Sequence, residues 1–158
     1  MANHGEWQFG IYFNGLVGQK PSLPMSYDAL ERAAELAMSE EVWSYVAGGA
    51  GNEHTQRSNV TAFEHWGLMP RMLAGAAQRE LGVEIFGQQL PTPLMLAPVG
   101  VIGICEPEGH GDLTTARAAA ATGVPMIAST LMQDPLEDVA AALGETPGWF
   151  QLYPPNDR

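Results

Sequence analysis

Basic residues are scarce in this sequence. Seven Lys and Arg stand against 18 Asp and Glu, giving a formal net charge of −11 over 158 residues. Without a basic cluster nothing can neutralise a run of phosphates, so nucleic-acid binding is excluded as a main activity. A small anionic substrate is not excluded, because one local Arg can hold it. Cysteine is scarcer still. Cys105 stands alone, so no internal disulfide can form, which suits a reducing, cytoplasmic setting. A structural thiol is favoured over a nucleophile at that position. The N-terminus has no basic segment leading into an apolar run, so no secretory signal is expected. No apolar stretch comes near the ~20 residues needed to span a bilayer, so no membrane partner is expected. Charged residues make up only 16% of the chain and hydrophobic residues 46%, a balance that favours a packed core over disorder. The length predicts one domain, without low-complexity tracts or internal repeats.

What the chain does have is three short apolar stretches: 94–100 (LMLAPVG), 125–130 (PMIAST) and 149–153 (WFQLY). Each reads as a buried strand that ends in residues unlike its apolar body. Helix-like segments separate them, which is the pattern of successive βα units in a parallel sheet, where ligand chemistry gathers at the carboxyl ends of the strands.

From the N-terminus, residues 1–25 show no clear period and read as an irregular arm, with Trp7, Phe9, Tyr12 and Phe13 packing on a neighbour. A helix is predicted from Ser26, with Asp28 in its first turn and Leu30, Ala33, Ala34 and Ala37 on one face. A second runs from about Ser39 to Val46 and stops at Gly48-Gly49. A third runs from Asn52 or Glu53 to Phe63. The glycine-rich 48–52 (GGAGN) follows a helix and lacks a Lys-Ser/Thr ending, so helix punctuation is favoured over a phosphate cradle. Residues 66–73 read as irregular, with Pro70 preventing a helix. Segments 80–86 and 88–91 flank Gly87 as a small hairpin, expected to cover the amino-terminal end of the sheet. After strand 94–97 come helix 112–122, strand 125–129, helix 135–143 with Asp134 as N-cap and Pro135 as first residue, and strand 149–153.

The strand ends suggest chemistry. Ser129, Gln151 and Tyr153 are predicted to project near one another. Ser and Gln can serve the carbonyls and ring nitrogens of a planar heterocycle, and the backbone at Pro98, Val99 and Gly100 can approach such a ring closely. Tyr45 and Tyr153 can hydrogen-bond a carboxylate. Core strands with incidental polar ends remain the plainer reading. His110 and Asp112 are too few for a metal site, and the four His (4, 54, 65, 110) form no catalytic constellation, so no metal and no general base is assigned.

Several separated motifs resemble one known family. The run 44–59 (SYVAGGAGNEHTQRSN) with Ala62-Phe63, and 69–73 (MPRML), is similar to the amino-terminal signature of FMN-dependent α-hydroxy-acid oxidases and dehydrogenases. Ala97-Pro98, Ala128-Ser129 and 150–153 (FQLY) follow in the family's order and at similar spacing, so the resemblance covers nearly the whole chain. Segments 23–27 (LPMSY), 65–73 (HWGLMPRML) and 97–102 (APVGVI) are similar to the lactate 2-monooxygenase branch.

The resemblance implies an α/β fold, a (β/α)8 TIM barrel holding FMN at the strand carboxyl ends. This chain corresponds to its amino-terminal part, about three βα units preceded by a helical segment and a small hairpin: arm 1–25, helical segment 26–65, hairpin 80–91, first barrel strands and helices 94–158. Carried over, Pro98, Val99 and Gly100 line the flavin, Ser129 and Gln151 hydrogen-bond the isoalloxazine, and Tyr45 and Tyr153 bind substrate. Some relatives carry Ala in place of Gly100; the smaller residue resembles the monooxygenase and would leave more room beside the flavin. The implied reaction oxidises a small 2-hydroxy acid, with L-lactate favoured and mandelate or glycolate open, and dioxygen or another acceptor taking the electrons. In the monooxygenase branch the products are acetate, carbon dioxide and water.

The family's catalytic His, its carboxylate-binding Arg pair, its flavin-contacting Lys and its phosphate loops lie in the later half of the barrel and have no counterpart in residues 1–158. No catalytic residue is therefore assigned here. The expectation is an amino-terminal part that needs the rest of the barrel, supplied by a complementing chain, within a tetramer or octamer as in the family. Alone, its open parallel edge is expected to make it poorly soluble and unable to retain FMN. The competing reading is non-catalytic, either an interaction module using the aromatic arm or an inactive truncated product.

Overall fold

Residues 4–16 form a helix where the sequence predicts an irregular arm. The computed structural model describes residues 4–75 and 80–156, and the first element is α1 (His4–Leu16). Gly10 and Gly15 argue against a helix, each costing about 1 kcal/mol relative to Ala, and the aromatics fall on no single stripe. Ring contacts favour the helix instead. Phe9 stacks on Phe13 one turn away, with centroids 6.5 Å apart, and Tyr12 meets Phe13 edge-on at 5.6 Å. Trp7, Phe9, Tyr12 and Phe13 all remain exposed.

The chain divides into two compact units, Leu23–Arg79 and Met1–Ser22 with Glu80–Arg158. The first is helical. Its elements are α2 (Tyr27–Ala37), α3 (Glu40–Ala47) and α4 (His54–Ala62), the last running into a single 3-10 turn, Phe63–His65. Each predicted helix is present within two residues at either end. Ser39 caps α3, its Oγ accepting the Val42 N–H at 3.3 Å. Ser26 precedes α2 with extended backbone but makes no side-chain cap bond. The glycine-rich turn is punctuation, as expected. Gly49 donates its N–H to Glu53 Oε1 at 3.1 Å, and Gln56 Nε2 donates to Ala47 O at 2.9 Å. A Cβ at Gly49 would fall 2.0 Å from Gln56 Oε1, the movable end of that side chain. Residues 66–75 are irregular, and 76–79 lie outside the described residues.

In the second unit, β1 (Val83–Ile85) and β2 (Gln88–Leu90) make the expected antiparallel hairpin, register Val83↔Leu90. Its two-residue loop, Phe86 and Gly87, has both φ values positive, the twist that tight hairpins favour. The predicted strand 94–97 is reduced to one parallel bridge, Leu96↔Met126, with Leu96 N–H donating to Pro125 O at 2.8 Å and Ile127 N–H to Leu96 O at 3.0 Å. Pro93 and Pro98 bracket it, and neither can donate to a ladder. Next come α5 (Gly111–Thr122), β3 (Met126–Ala128), α6 (Leu136–Leu143) and β4 (Gly148–Phe150). β3 and β4 pair in parallel, Met126↔Gly148 through Ala128↔Phe150, and Gln151 N–H extends the ladder to Ala128 O at 2.8 Å. The parallel order is therefore Leu96 segment, β3, β4. Among the described residues β4 has no strand on its far side.

Ala116 and Ala119 of α5, Met126 and Ala128 of β3, and Val139 and Leu143 of α6 form the core, with Leu96, Leu113, Met132 and Ala142 against it. Small alanines on α5 let that helix lie close to the sheet. One helix start differs from expectation. Pro135 is the N-cap of α6, outside the helix, and Asp134 does not cap α6 because its carboxylate turns to α5. No helix among the described residues is long and apolar enough to cross a membrane.

Candidate functional site

The carboxyl ends of three adjacent parallel segments bring the predicted residues together. Ser129 follows β3 and is buried, at 2% exposure. Gln151 follows β4 and is half-buried. Ser129 Oγ lies 3.5 Å from Gln151 Oε1 and accepts the Leu131 N–H at 3.1 Å. That long contact leaves the serine hydroxyl proton weakly committed and the Gln151 NH2 group free to turn. Pro98, Val99 and Gly100 follow the Leu96 segment, and Val99 is half exposed, at 53%. The arrangement offers a hydroxyl, a primary amide and a short run of open backbone on neighbouring strands. Such donors and acceptors suit the polar edge and one face of a planar heterocycle.

Gly100 packs closely on its neighbours. A Cβ there would lie 2.9 Å from Leu131 Cβ and 3.4 Å from Ser129 Oγ. The room left by the missing side chain is therefore bounded by Leu131. Beside it Val101 adopts a left-handed backbone, φ 57°, unusual for a β-branched residue, and its N–H donates to Leu131 O at 2.9 Å.

Tyr153 is held by its backbone. Its N–H donates to Thr130 Oγ1 at 3.0 Å, and that hydroxyl in turn donates to Gln151 O. The Tyr153 ring is half exposed. Tyr45 stands on α3 in the helical unit and is exposed, so it belongs to a different unit from the other candidates.

Leu131 and Thr130 were not singled out for roles. Thr130 had a visible signal as the polar residue next to Ser129; Leu131 had none, being an exposed apolar residue in a loop. His110 and Asp112 each bond elsewhere. Among the described residues no three His, Cys, Asp or Glu side chains gather as metal ligands. His110 instead pairs with Asp134, Nδ1 to Oδ1 at 2.6 Å.

Comparison with known proteins gives a consistent result. The family described as FMN-dependent dehydrogenase matches residues 34–158. An FMN-dependent alpha-hydroxy acid dehydrogenase of Penicillium citrinum is 36% identical over 155 residues, covering 96% of this chain and 38% of the relative. An L-lactate oxidase of Lysinibacillus sphaericus is 36% identical over 143 residues, 90% of this chain and 36% of the relative. The crystal structure of a lactate oxidase from Pediococcus acidilactici superposes with a TM-score of 0.78 at 35% identity, over 88% of this chain and 38% of that one. The chain thus spans well under half the length of these proteins.

Proposed function

Because the chain belongs to the FMN-dependent dehydrogenase family, matched over residues 34–158, we propose that it supplies one wall of an FMN site that serves oxidation of a small 2-hydroxy acid. The observation that carries this reading is the convergence of Ser129, Gln151 and the 98–100 backbone at the carboxyl ends of neighbouring parallel segments. In this reading the Leu96 segment, β3 and β4, with α5 and α6, are the first βα units of a (β/α)8 barrel, where such ends form the active face.

When bound, FMN supplies an acceptor for the hydride equivalent leaving the substrate α-carbon. The residues of this chain bind and orient. Ser129 Oγ and the Gln151 amide hold the polar edge of the isoalloxazine, and Pro98, Val99 and Gly100 present backbone to its face. The hydroxyl of Tyr153 donates to the substrate carboxylate or the developing keto oxygen. No residue of this chain is assigned the proton abstraction. L-Lactate is the favoured substrate, since lactate enzymes recur among the relatives. Acetate, carbon dioxide and water are the favoured products, and dioxygen the favoured acceptor.

The test combines visible absorbance, FMN fluorescence titration and oxygen uptake with L-lactate, mandelate and glycolate. With a complementing later barrel half added, flavin retention and lactate-dependent uptake support the full reading. FMN binding without uptake, lowered in Ser129→Ala and Gln151→Ala, supports the wall alone. FMN fluorescence left unchanged even with that half added overturns both.

A further inference from the structure

The loops that carry the candidate wall are tied together by a second set of residues with no assigned role. Asp134 and Asp112 are both buried, at 5% and 1% exposure, and each grips the backbone of the other's segment. Asp134 Oδ2 accepts the Leu113 N–H at 3.1 Å, at the start of α5. Asp112 Oδ2 accepts the Gln133 N–H at 2.8 Å and the Asp134 N–H at 3.5 Å. The remaining Asp134 oxygen, Oδ1, meets His110 Nδ1 at 2.6 Å. Three residues before Asp134, Leu131 closes on Gly100 and accepts the Val101 N–H. Val101 sits in a left-handed conformation that its own side chain disfavours, so its neighbours must hold it there.

We infer that Asp134, with His110 as its proton-dependent partner, is a positioning residue that holds the 129–134 loop, and with it Ser129 and Leu131, in register with 98–101. The inference rests on the reading of those loops as a flavin wall.

Among the described residues, the charged groups that act on His110 are acidic. Asp134 approaches from the segment before α6, and Glu106 and Glu108 from the turn before α5. Asp112 on α5 is occupied with Gln133 and Asp134. Glu106 Oε2 also accepts the backbone N–H of Glu108 at 3.0 Å and of His110 at 2.9 Å, which fixes where the imidazole starts. The hydrogen bond and charge of Asp134, with smaller help from Glu106 and Glu108, hold His110 above its ordinary value. The bond from His110 holds the Asp134 carboxyl below the usual carboxylate value. The charged pair therefore exists between the lowered Asp134 value and the raised His110 value. Its contribution is lost as pH rises through the latter, when the imidazole becomes neutral, and again as pH falls through the former.

Hydrogen–deuterium exchange on the full chain without FMN tests this over a pH series that starts below the ordinary imidazole value and runs well above it, corrected for intrinsic rates. Protection at Leu113, Gln133 and Asp134 is expected to fall about two- to fivefold toward the upper end of the series, the scale of a partly exposed ion pair, while β3 amides hold steady. His110→Gln, which alters an exposed side chain, and Asp134→Asn, which keeps its shape, should each abolish that pH dependence. Parallel pH profiles in wild type and His110→Gln, or a flat wild-type profile, overturn the inference. A separate FMN titration, with a complementing later barrel half added, keeps the two readings apart. If the exchange result holds and FMN does not bind, the flavin wall falls and the positioning network stands; if FMN binds and exchange is flat, the network alone falls.

Discussion

The two units of this chain are built on different physics. In the helical unit, α2, α3 and α4 contain no buried residue. They are held by short-range bonds: a serine cap, a carboxylate on Gly49 N–H, and a glutamine reaching back nine residues to Ala47 O. In the other unit, residues far apart in sequence share one core, with Ala116, Met126 and Val139 meeting from three elements. Hydrogen bonds exposed to water contribute little net stability, because water competes for them, whereas apolar burial contributes with area. Ser129, Gln151 and Tyr153 stand on the unit with the core. A wall that must hold a ring within fractions of an ångström needs that backing.

The largest test of this contrast is a pair of truncations. Met126→Ala, in the core, should cost about 2–4 kcal/mol through lost burial and a residual cavity. Leu36→Ala, on α2 at 89% exposure, should stay within about 0.5 kcal/mol. Urea unfolding followed by circular dichroism measures both, and equal costs would remove the distinction. Carboxylates give the next comparison. Asp112 and Glu53 both accept backbone N–H groups, but one is buried and the other exposed. Asp112→Ala removes a buried acceptor shared by the Gln133 and Asp134 N–H groups and should cost about 1–3 kcal/mol. Glu53→Ala, where water replaces the lost acceptor, should cost less than about 1 kcal/mol.

Two glycines follow. At Gly100 an added methyl meets Leu131 Cβ, an atom fixed to the backbone, while at Gly49 it meets the far end of flexible Gln56. Gly100→Ala should therefore cost about 1–2 kcal/mol, and Gly49→Ala less. A Gly100→Ala, Leu131→Gly double variant, which removes the Leu131 Cβ as well, should recover part of the loss, since Leu131 is half exposed and contributes little burial of its own. Additive costs in that cycle would show that Leu131 is not what requires glycine.

Elements with local signals were legible in the sequence, and those decided at long range were not. The helices after Ser26 and Ser39 and the Phe86-Gly87 hairpin carry their instructions within a few residues. The strand ends were legible too, because Ser129 and Gln151 interrupt apolar runs at matching places. Asp134 was misread because an Asp before Pro135 looks like a cap; only the fold reveals that α5 lies close enough to take its carboxylate instead. α1 was missed because its ring contacts replace the apolar stripe that marks most helices. Leu131 left no trace, since closeness to Gly100 is a property of two loops and not of either sequence.

The finest comparison lies within the helical unit. Ser26 and Ser39 look alike in sequence, each before a helix with acid in its first turn, yet only Ser39 makes a cap bond. Ser39→Ala should lower helicity by a change worth about 0.5–1 kcal/mol, and Ser26→Ala should leave it nearly unchanged. The acid limb separates them further. The Glu41 carboxyl lies below its ordinary value because its backbone N–H and then the Ser39 side chain bond the charged form. A lowered value means that the contribution is present above the ordinary carboxylate range and is lost as pH falls through the lowered one. In Ser39→Ala one of those bonds is gone, so the acid loss of α3 helicity should move up toward the ordinary Glu value. Acid titration of the circular dichroism signal in the two variants reads this shift. An identical acid limb in both would mean that the serine bond has no hold on Glu41.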